Sequence, residues 1–269
     1  MKNKRVLYVS SEVTPYTTPN EMSRMSFEAA KKAHHKGVQT RIFMPRYGMI
    51  NERRHQLHEV IRLSGMNLII NDIDMPLIIK VASIPKERMQ VYFIDNEEYF
   101  KRKATFTDEN DVMFPDNDER AIFFAKGVVE TIKKLNWAPD IIHVHGWMAC
   151  LLPLYLKEYY KDDALFANTK IVTSVYDNEF EEPLVGKLAD KIRYDEISED
   201  KIKILNEPTF VNILKSAIDN SDAVIKASRF VNDDLEDYLD DLEKPFLDYQ
   251  TEDTFAEAYI EFYTEKVIN

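Results

Sequence analysis

Short, hydrophobic runs alternate with helix-periodic segments along this chain, and no other feature constrains its fold as tightly. RVLYVS (5–10), VQTRIFMP (38–45), DIIHVH (140–145), KIVTSVY (170–176) and DAVIKAS (222–228) lack the polar alternation of a sheet that is wet on one side. They read as strands buried on both faces. Helical patterns stand between them: about Met22 to Lys36, ended by Gly37; 117–135; WMACLLPLYLKEYY (147–160), which tolerates Pro153; and ILKSAIDNS before the last strand. The pattern predicts an α/β fold, a Rossmann-like parallel sheet with helices on both faces. Leu57 to Ile94 alternates through several short strands and reads as an inserted β-meander (57–94). The chain, 1–269, is read as one domain.

In such sheets ligands sit outside the carboxyl ends of the strands, at a switch point in strand order. The strand ends here are Ser10-Ser11-Glu12, Pro45-Arg46-Tyr47, Asp95-Asn96, His145-Gly146-Trp147 and Tyr176-Asp177. Composition limits what such a site holds. Only 6 of 269 residues are glycine, and no two are adjacent or one apart. The phosphate loop and the dinucleotide fingerprint both need clustered glycines and are excluded. A single cysteine, Cys150, inside an apolar stretch reads as a buried inert thiol and suits a reducing cytoplasm. No apolar run is long enough for a membrane span, so no membrane partner is expected. Of the net charge of −12, residues 232–269 carry −11 (13 acids, 2 bases). An acidic segment argues against nucleic acid as the ligand. Within it, Phe255, Tyr259, Phe262 and Tyr263 recur at helical spacing, so 251–268 reads as a C-terminal amphipathic helix, with Thr251 placed to cap it.

At the strand ends the chain resembles the glycogen/starch synthase family, in the N-terminal half of a GT-B glycosyltransferase. VSSEVTPY (9–16) is similar to the family's opening strand and loop, and MPRYGMI (44–50) to its LPRYG segment. VYFIDNEEYFKR (91–102), FPDNDERAIFFAKGVVE (114–130), WAPDIIHVHGWMACLLPLYL (137–156) and NILKSAIDNSDAVIKAS (212–228) follow in the family's order. The resemblance implies a retaining transfer of glucose from ADP-glucose or UDP-glucose to the 4-OH end of an α-1,4-glucan, with no cofactor and no obligatory metal. It also implies site residues. His145 matches the histidine of the family's H-D-W-H, and Asp116, Asn117 and Arg120 match its D-N-x-x-R, so His145 and Asp116 are the expected catalytic pair. Glu12, Thr18, Arg46, Tyr47, Asn96, Trp147 and Tyr176 fall on matching loops and are the expected substrate-binding residues. The partners implied are an α-glucan or malto-oligosaccharide and, because the chain holds one of the family's two domains, a separately encoded C-terminal domain protein.

The chain also departs from the family. K-T-G-G after the first strand is Thr18-Pro19-Asn20-Glu21, H-D-W-H is His145-Gly146-Trp147-Met148, and Tyr176 stands where a histidine is expected. Two unit charges about 4 Å apart interact by roughly 4 kcal/mol at an effective dielectric of 20, so exchanging a phosphate-facing lysine for threonine, with Glu21 nearby, works against a sugar nucleotide. The alternative function is a non-catalytic module that binds glucan or a partner protein. Among residues outside the motifs, His143 reads as a satisfied core histidine and not a zinc ligand. Asp177, Glu179, Glu181 and Glu182 read as a solvated acidic loop, and Trp147 as either a sugar platform or core.

Overall fold

Val6 to Ser10 have no solvent exposure, because this strand lies in the middle of the sheet with a helix layer on each side. The computed structural model describes residues 1–177 and 179–268. Its strands are β1 (Arg5–Ser10), β2 (Gln39–Pro45), β3 (His58–Glu59), β4 (Met66–Ile70), β5 (Ile73–Ser83), β6 (Gln90–Asp95), β7 (Ile141–His145), β8 (Lys170–Val175), β9 (Ala223–Lys226) and β10 (Phe246–Leu247). The sheet order is β10-β9-β8-β7-β1-β2-β6-β5-β3, with β4 paired to β5. From β10 to β6 all neighbours are parallel, as the buried apolar runs require.

The chain leaves β1 towards β2 and β6, then returns to the other side of β1 to lay down β7, β8 and β9. The order therefore reverses between β1 and β7. Right-handed crossovers running in opposite directions place their helices on opposite faces, and the loops after β1 and β7 diverge to leave a crevice.

The meander expected over 57–94 is continuous with this sheet. β3, β4 and β5 add antiparallel pairs at its edge, while β6 is itself one of the parallel strands, paired to β2 from Ile42↔Val91 to Pro45↔Ile94. The single helix expected over 147–160 is broken into a 3-10 turn (Trp147–Ala149), one α turn (Leu152–Leu154) and a π turn (Tyr155–Tyr159). Pro153 has no N–H to give, so the backbone cannot run through as one α-helix.

The aromatic C-terminal segment forms a helix, Phe255–Phe262, extended by a π turn, Tyr263–Val267. It starts later than expected: Thr251 accepts the N–H groups of Thr254 and Phe255 through its carbonyl, ahead of the helix. Phe255, Tyr259, Ile260, Phe262, Tyr263 and Val267 are buried, against the helix Glu21–His35 and the β1/β7 face. On that face β1 and β7 pair Tyr8 with His143 and Ser10 with His145. Tyr263 Oη lies 2.6 Å from His143 Nδ1, and Ser174 Oγ lies 2.8 Å from its Nε2. His143 is thus a core histidine with both ring nitrogens used. Among the described residues no helix is long and apolar enough to cross a membrane.

Candidate functional site

Ser11, the residue after β1, ties the switch point together. Its N–H donates to the His145 carbonyl at 2.9 Å, its Oγ accepts the Met148 N–H at 3.1 Å, and its carbonyl accepts the Tyr47 hydroxyl at 2.8 Å. Gly146 is required here. Its φ is +81°, and a Cβ would lie 2.5 Å from Ser11 Oγ and 2.6 Å from Met22 Sδ. The aspartate of the family's motif would not fit at this position without rebuilding that contact.

Above this knot opens a cleft of about 290 Å³, lined by Glu12, Asn20 and Glu21 from the β1 side and by Tyr176, Asp177 and Glu179 from the β8 side. Met22, Phe106 and Ser228 complete it. Four of these nine side chains are carboxylates, and none is basic. Burial raises the Glu12 pKa, opposed by the 2.9 Å hydrogen bond from Asn20 Nδ2 to its Oε2. Burial also pushes Glu179 up to about 8; the Trp147 N–H, donating to Oε1 at 3.0 Å, pulls it down, and the charge of Glu12 raises it further. At neutral pH Glu179 is therefore largely protonated, and its carboxyl is able to donate as well as accept. The solvated acidic loop read from the sequence does not describe Glu179.

The helix Glu21–His35 points its N-terminus at this cleft, where the Ser23 N–H is already used by a cap. Asn20 Oδ1 accepts the Ser23 N–H at 2.7 Å, and Ser23 Oγ accepts the Asn20 N–H at 2.9 Å, a reciprocal capping box. Glu21 occupies the first turn and hydrogen-bonds Ser228. A negative side chain already complements the helix dipole at this end.

Of the expected residues, Glu12 and Tyr176 line the cleft. His145 lies behind Tyr176, fully buried, with Nδ1 2.8 Å from the Tyr176 hydroxyl and Nε2 without a partner among the described residues. Burial lowers its pKa to about 3, so it is a neutral imidazole. Trp147 is fully buried, its indole against Phe106 and Phe180. The other expected residues do not line the cleft. Thr18 is exposed on the preceding loop. Asp116 is held by the two guanidinium nitrogens of Arg102. Asn117 Nδ2 donates to the Phe106 carbonyl at 2.9 Å, and its Oδ1 accepts from Arg120. Arg120 itself is fully buried among the rings of Tyr47, Phe100 and Phe114, with its pKa lowered by burial to about 10. Arg46 pairs with Asp95 at 3.0 Å at the β2/β6 mouth, and Asn96 caps the short helix Glu97–Phe100.

Sequence reasoning missed Glu21, Phe106, Asp177, Glu179 and Ser228 as cleft residues. Only Phe180, an apolar anchor inside an acidic run, hinted that this loop turns inward. Among the described residues no group of three or more His, Cys, Asp or Glu side chains is arranged to hold a metal ion.

A family profile described as the starch synthase catalytic domain matches residues 5–244. The chain belongs to that family. It is 36% identical to a glycogen synthase of Chlorobium limicola over 235 residues, 87% of this chain and 47% of that protein. It is 35% identical to a glycogen synthase of Chlorobaculum tepidum over 240 residues, 88% of this chain and 48% of that protein. The chain therefore spans about half the length of the curated relatives it matches. The catalytic domain of starch synthase IV from Arabidopsis thaliana, solved with ADP and acarbose, shares the fold with a TM-score of 0.76, covering 93% of this chain and 52% of that one at 16% identity. The starch synthase-type domain seen here is thus the N-terminal half of a GT-B architecture.

Proposed function

We propose that this chain is the acceptor-side half of a glycogen/starch synthase-type glycosyltransferase, handling transfer of glucose from ADP-glucose or UDP-glucose to the 4-OH end of an α-1,4-glucan. The observation that carries this reading is the cleft at the β1/β7 switch point, lined by groups suited to a neutral polyol. Carboxylates accept sugar hydroxyl protons in strong, charge-assisted hydrogen bonds, protonated Glu179 donates, and Phe106 and Tyr176 offer ring surface. Turnover would need the half of the relatives that this chain does not span, whether joined to it or supplied by a separate polypeptide. A reducing cytoplasm suits the buried thiol of Cys150. The test is ADP-[14C]glucose incorporation into glycogen, with the chain alone and with the C-terminal half of the Chlorobium limicola relative. Incorporation at background in every combination would sink the reading.

A second reading, a glucan-binding module without transfer, is favoured by one observation: Asn20 and Glu21 fill the helix N-terminus that faces the cleft. The combined substitution Thr18→Lys and Glu21→Gly separates the two. It adds a positive charge and removes a negative one, each worth roughly 4 kcal/mol before screening at 4 Å. With screening leaving about 2 kcal/mol in total, ADP-glucose affinity by calorimetry should rise about thirtyfold. An unchanged affinity would mean that this loop does not face the donor.

A further inference from the structure

Arg120 carries a charge that the fold around it does not balance. Its guanidinium is fully buried, and Nε and Nη2 have no hydrogen-bond partner among the described residues. Nη1 donates to Asn117 Oδ1, a neutral acceptor, at 2.5 Å. Asp116, the carboxylate whose charge reaches Arg120, is already held by both terminal nitrogens of Arg102. Two guanidiniums thus share one carboxylate. The Phe114 ring faces both, 4.4 Å from the Arg102 guanidinium carbon and 5.5 Å from that of Arg120. Burial lowers the Arg120 pKa to about 10, so the group is still a cation at neutral pH. The rings of Tyr47, Phe100 and Phe114 attract that charge but leave the donors in the guanidinium plane unmet. A buried charge with unused donors calls for a counter-ion.

The cover over this charge is a loop closed on itself. Within 101–116, Thr107 and Met113 form a bridge, and Asp108 Oδ1 accepts the N–H groups of Asn110 at 2.8 Å and Val112 at 3.1 Å. Positions 108–112 are all exposed. The Arg102–Asp116 pair pins the two ends of the loop together, and Asn117 Nδ2 holds the Phe106 carbonyl at 2.9 Å. The Phe106 ring lies 5.1 Å from that of Trp147 and lines the switch-point cleft, so this loop borders the cleft as well as Arg120. Lys101 and Lys103 stand exposed at its start.

We propose that Arg120 and Arg102 form an anion site for a phosphate group, free or carried on a sugar, which enters as Phe114 and the loop around it lift. Nε and Nη2 are neighbouring donors on one edge of the guanidinium, the edge that forks onto two oxygens of an oxyanion. The two donors left unused are therefore the pair that a phosphate takes up. Arg102 adds a second guanidinium, and Lys101 and Lys103 raise the local concentration of anions at the rim. This group of cations suits a dianion better than the single charge of a carboxylate. The site does not depend on glucose transfer, and its failure would leave the synthase reading standing.

The test is calorimetry of the full chain with sodium phosphate at constant ionic strength, repeated with glucose 1-phosphate, ADP-glucose and acetate. Phosphate should bind saturably, with Kd at or below roughly 1 mM, and acetate about tenfold more weakly or not at all. The tightest of the three phosphate compounds identifies what carries the group. Arg120→Met should weaken phosphate about tenfold or more, while its unfolding midpoint stays level or rises because an unbalanced buried charge is gone. If that variant unfolds, Arg102→Gln serves: it frees Asp116 to pair with Arg120, and should weaken phosphate to a similar extent. In a Trp137→Phe background the emission of Trp147 should shift with the calorimetric midpoint, as Phe106 leaves its ring. Lys32→Gln, on the remote helix Glu21–His35, should change nothing. Phosphate affinity that survives both arginine variants, or no heat up to roughly 20 mM phosphate, overturns the site. Acetate binding as tightly as phosphate overturns the choice of ligand.

Discussion

A chain cut after Lys244 is expected to lose its cooperative fold. The cut removes Phe255, Tyr259, Phe262 and Tyr263 from one buried face at once, along with the short strand β10. Truncating a single buried phenylalanine costs about 3–5 kcal/mol, and whole domains are stable by only about 5–15 kcal/mol. The cut also strips the Tyr263 hydroxyl from buried His143, leaving a ring nitrogen with no partner, a further loss of about 1–3 kcal/mol. The ion pairs of Glu257 with Lys32 and Lys36 lie on the surface and add little to this balance. Near-UV circular dichroism should show the aromatic signal gone at room temperature. A truncated chain that melts within a few degrees of the full one would mean that the helix merely rests on the domain.

The second large effect is a pH-dependent stability that belongs to Glu179. Its pKa is raised in the folded protein from an ordinary 4.5 to about 8, first by burial. Below pH 4.5 it is protonated folded or unfolded and has no effect on the balance. Between 4.5 and 8 the folded form holds a proton that the unfolded form has released, so stability falls steadily as pH rises. Above 8 the loss is complete, on the order of 3 kcal/mol once partial exposure is discounted. Glu179→Gln keeps an acceptor for the Trp147 N–H and removes the titration. The variant should match the wild type at pH 4 and exceed it by that amount at pH 9, read from urea unfolding midpoints. Parallel pH profiles for the two proteins would show that Glu179 is solvated. His145, whose pKa burial lowers to about 3, acts in the opposite sense, and stability is lost as pH falls from about 6.5 towards 3.

Residue pattern alone carried the sheet a long way. Largely apolar runs at 5–10, 38–45, 140–145, 170–176 and 222–228 suit burial between two helix layers, and all five lie in the parallel sheet. The aromatic spacing at 255, 259, 262 and 263 foretold one buried helix face, which the structure places on the helix Glu21–His35 and beside His143. The site was less legible. Motif matching located Glu12 and Tyr176, which line the cleft, and His145, which stands directly behind it. It could not distinguish those from Asn96, used to cap a helix, or Arg120, enclosed by rings, because spacing in sequence says nothing of which hydrogen-bond partner a side chain finds.

Local sequence determined the elements, their parallel pairing and the family, because hydrophobic periodicity and short motifs are properties of neighbouring residues. Tertiary structure alone decided the chemistry of the cleft. Glu12 and Glu179 are 167 positions apart, and the strand order that sets β7 and β8 beside β1 brings them to one cleft. Their shifted protonation arises from burial and, for Glu179, also from the charge of Glu12, which exist only once the chain has closed around them.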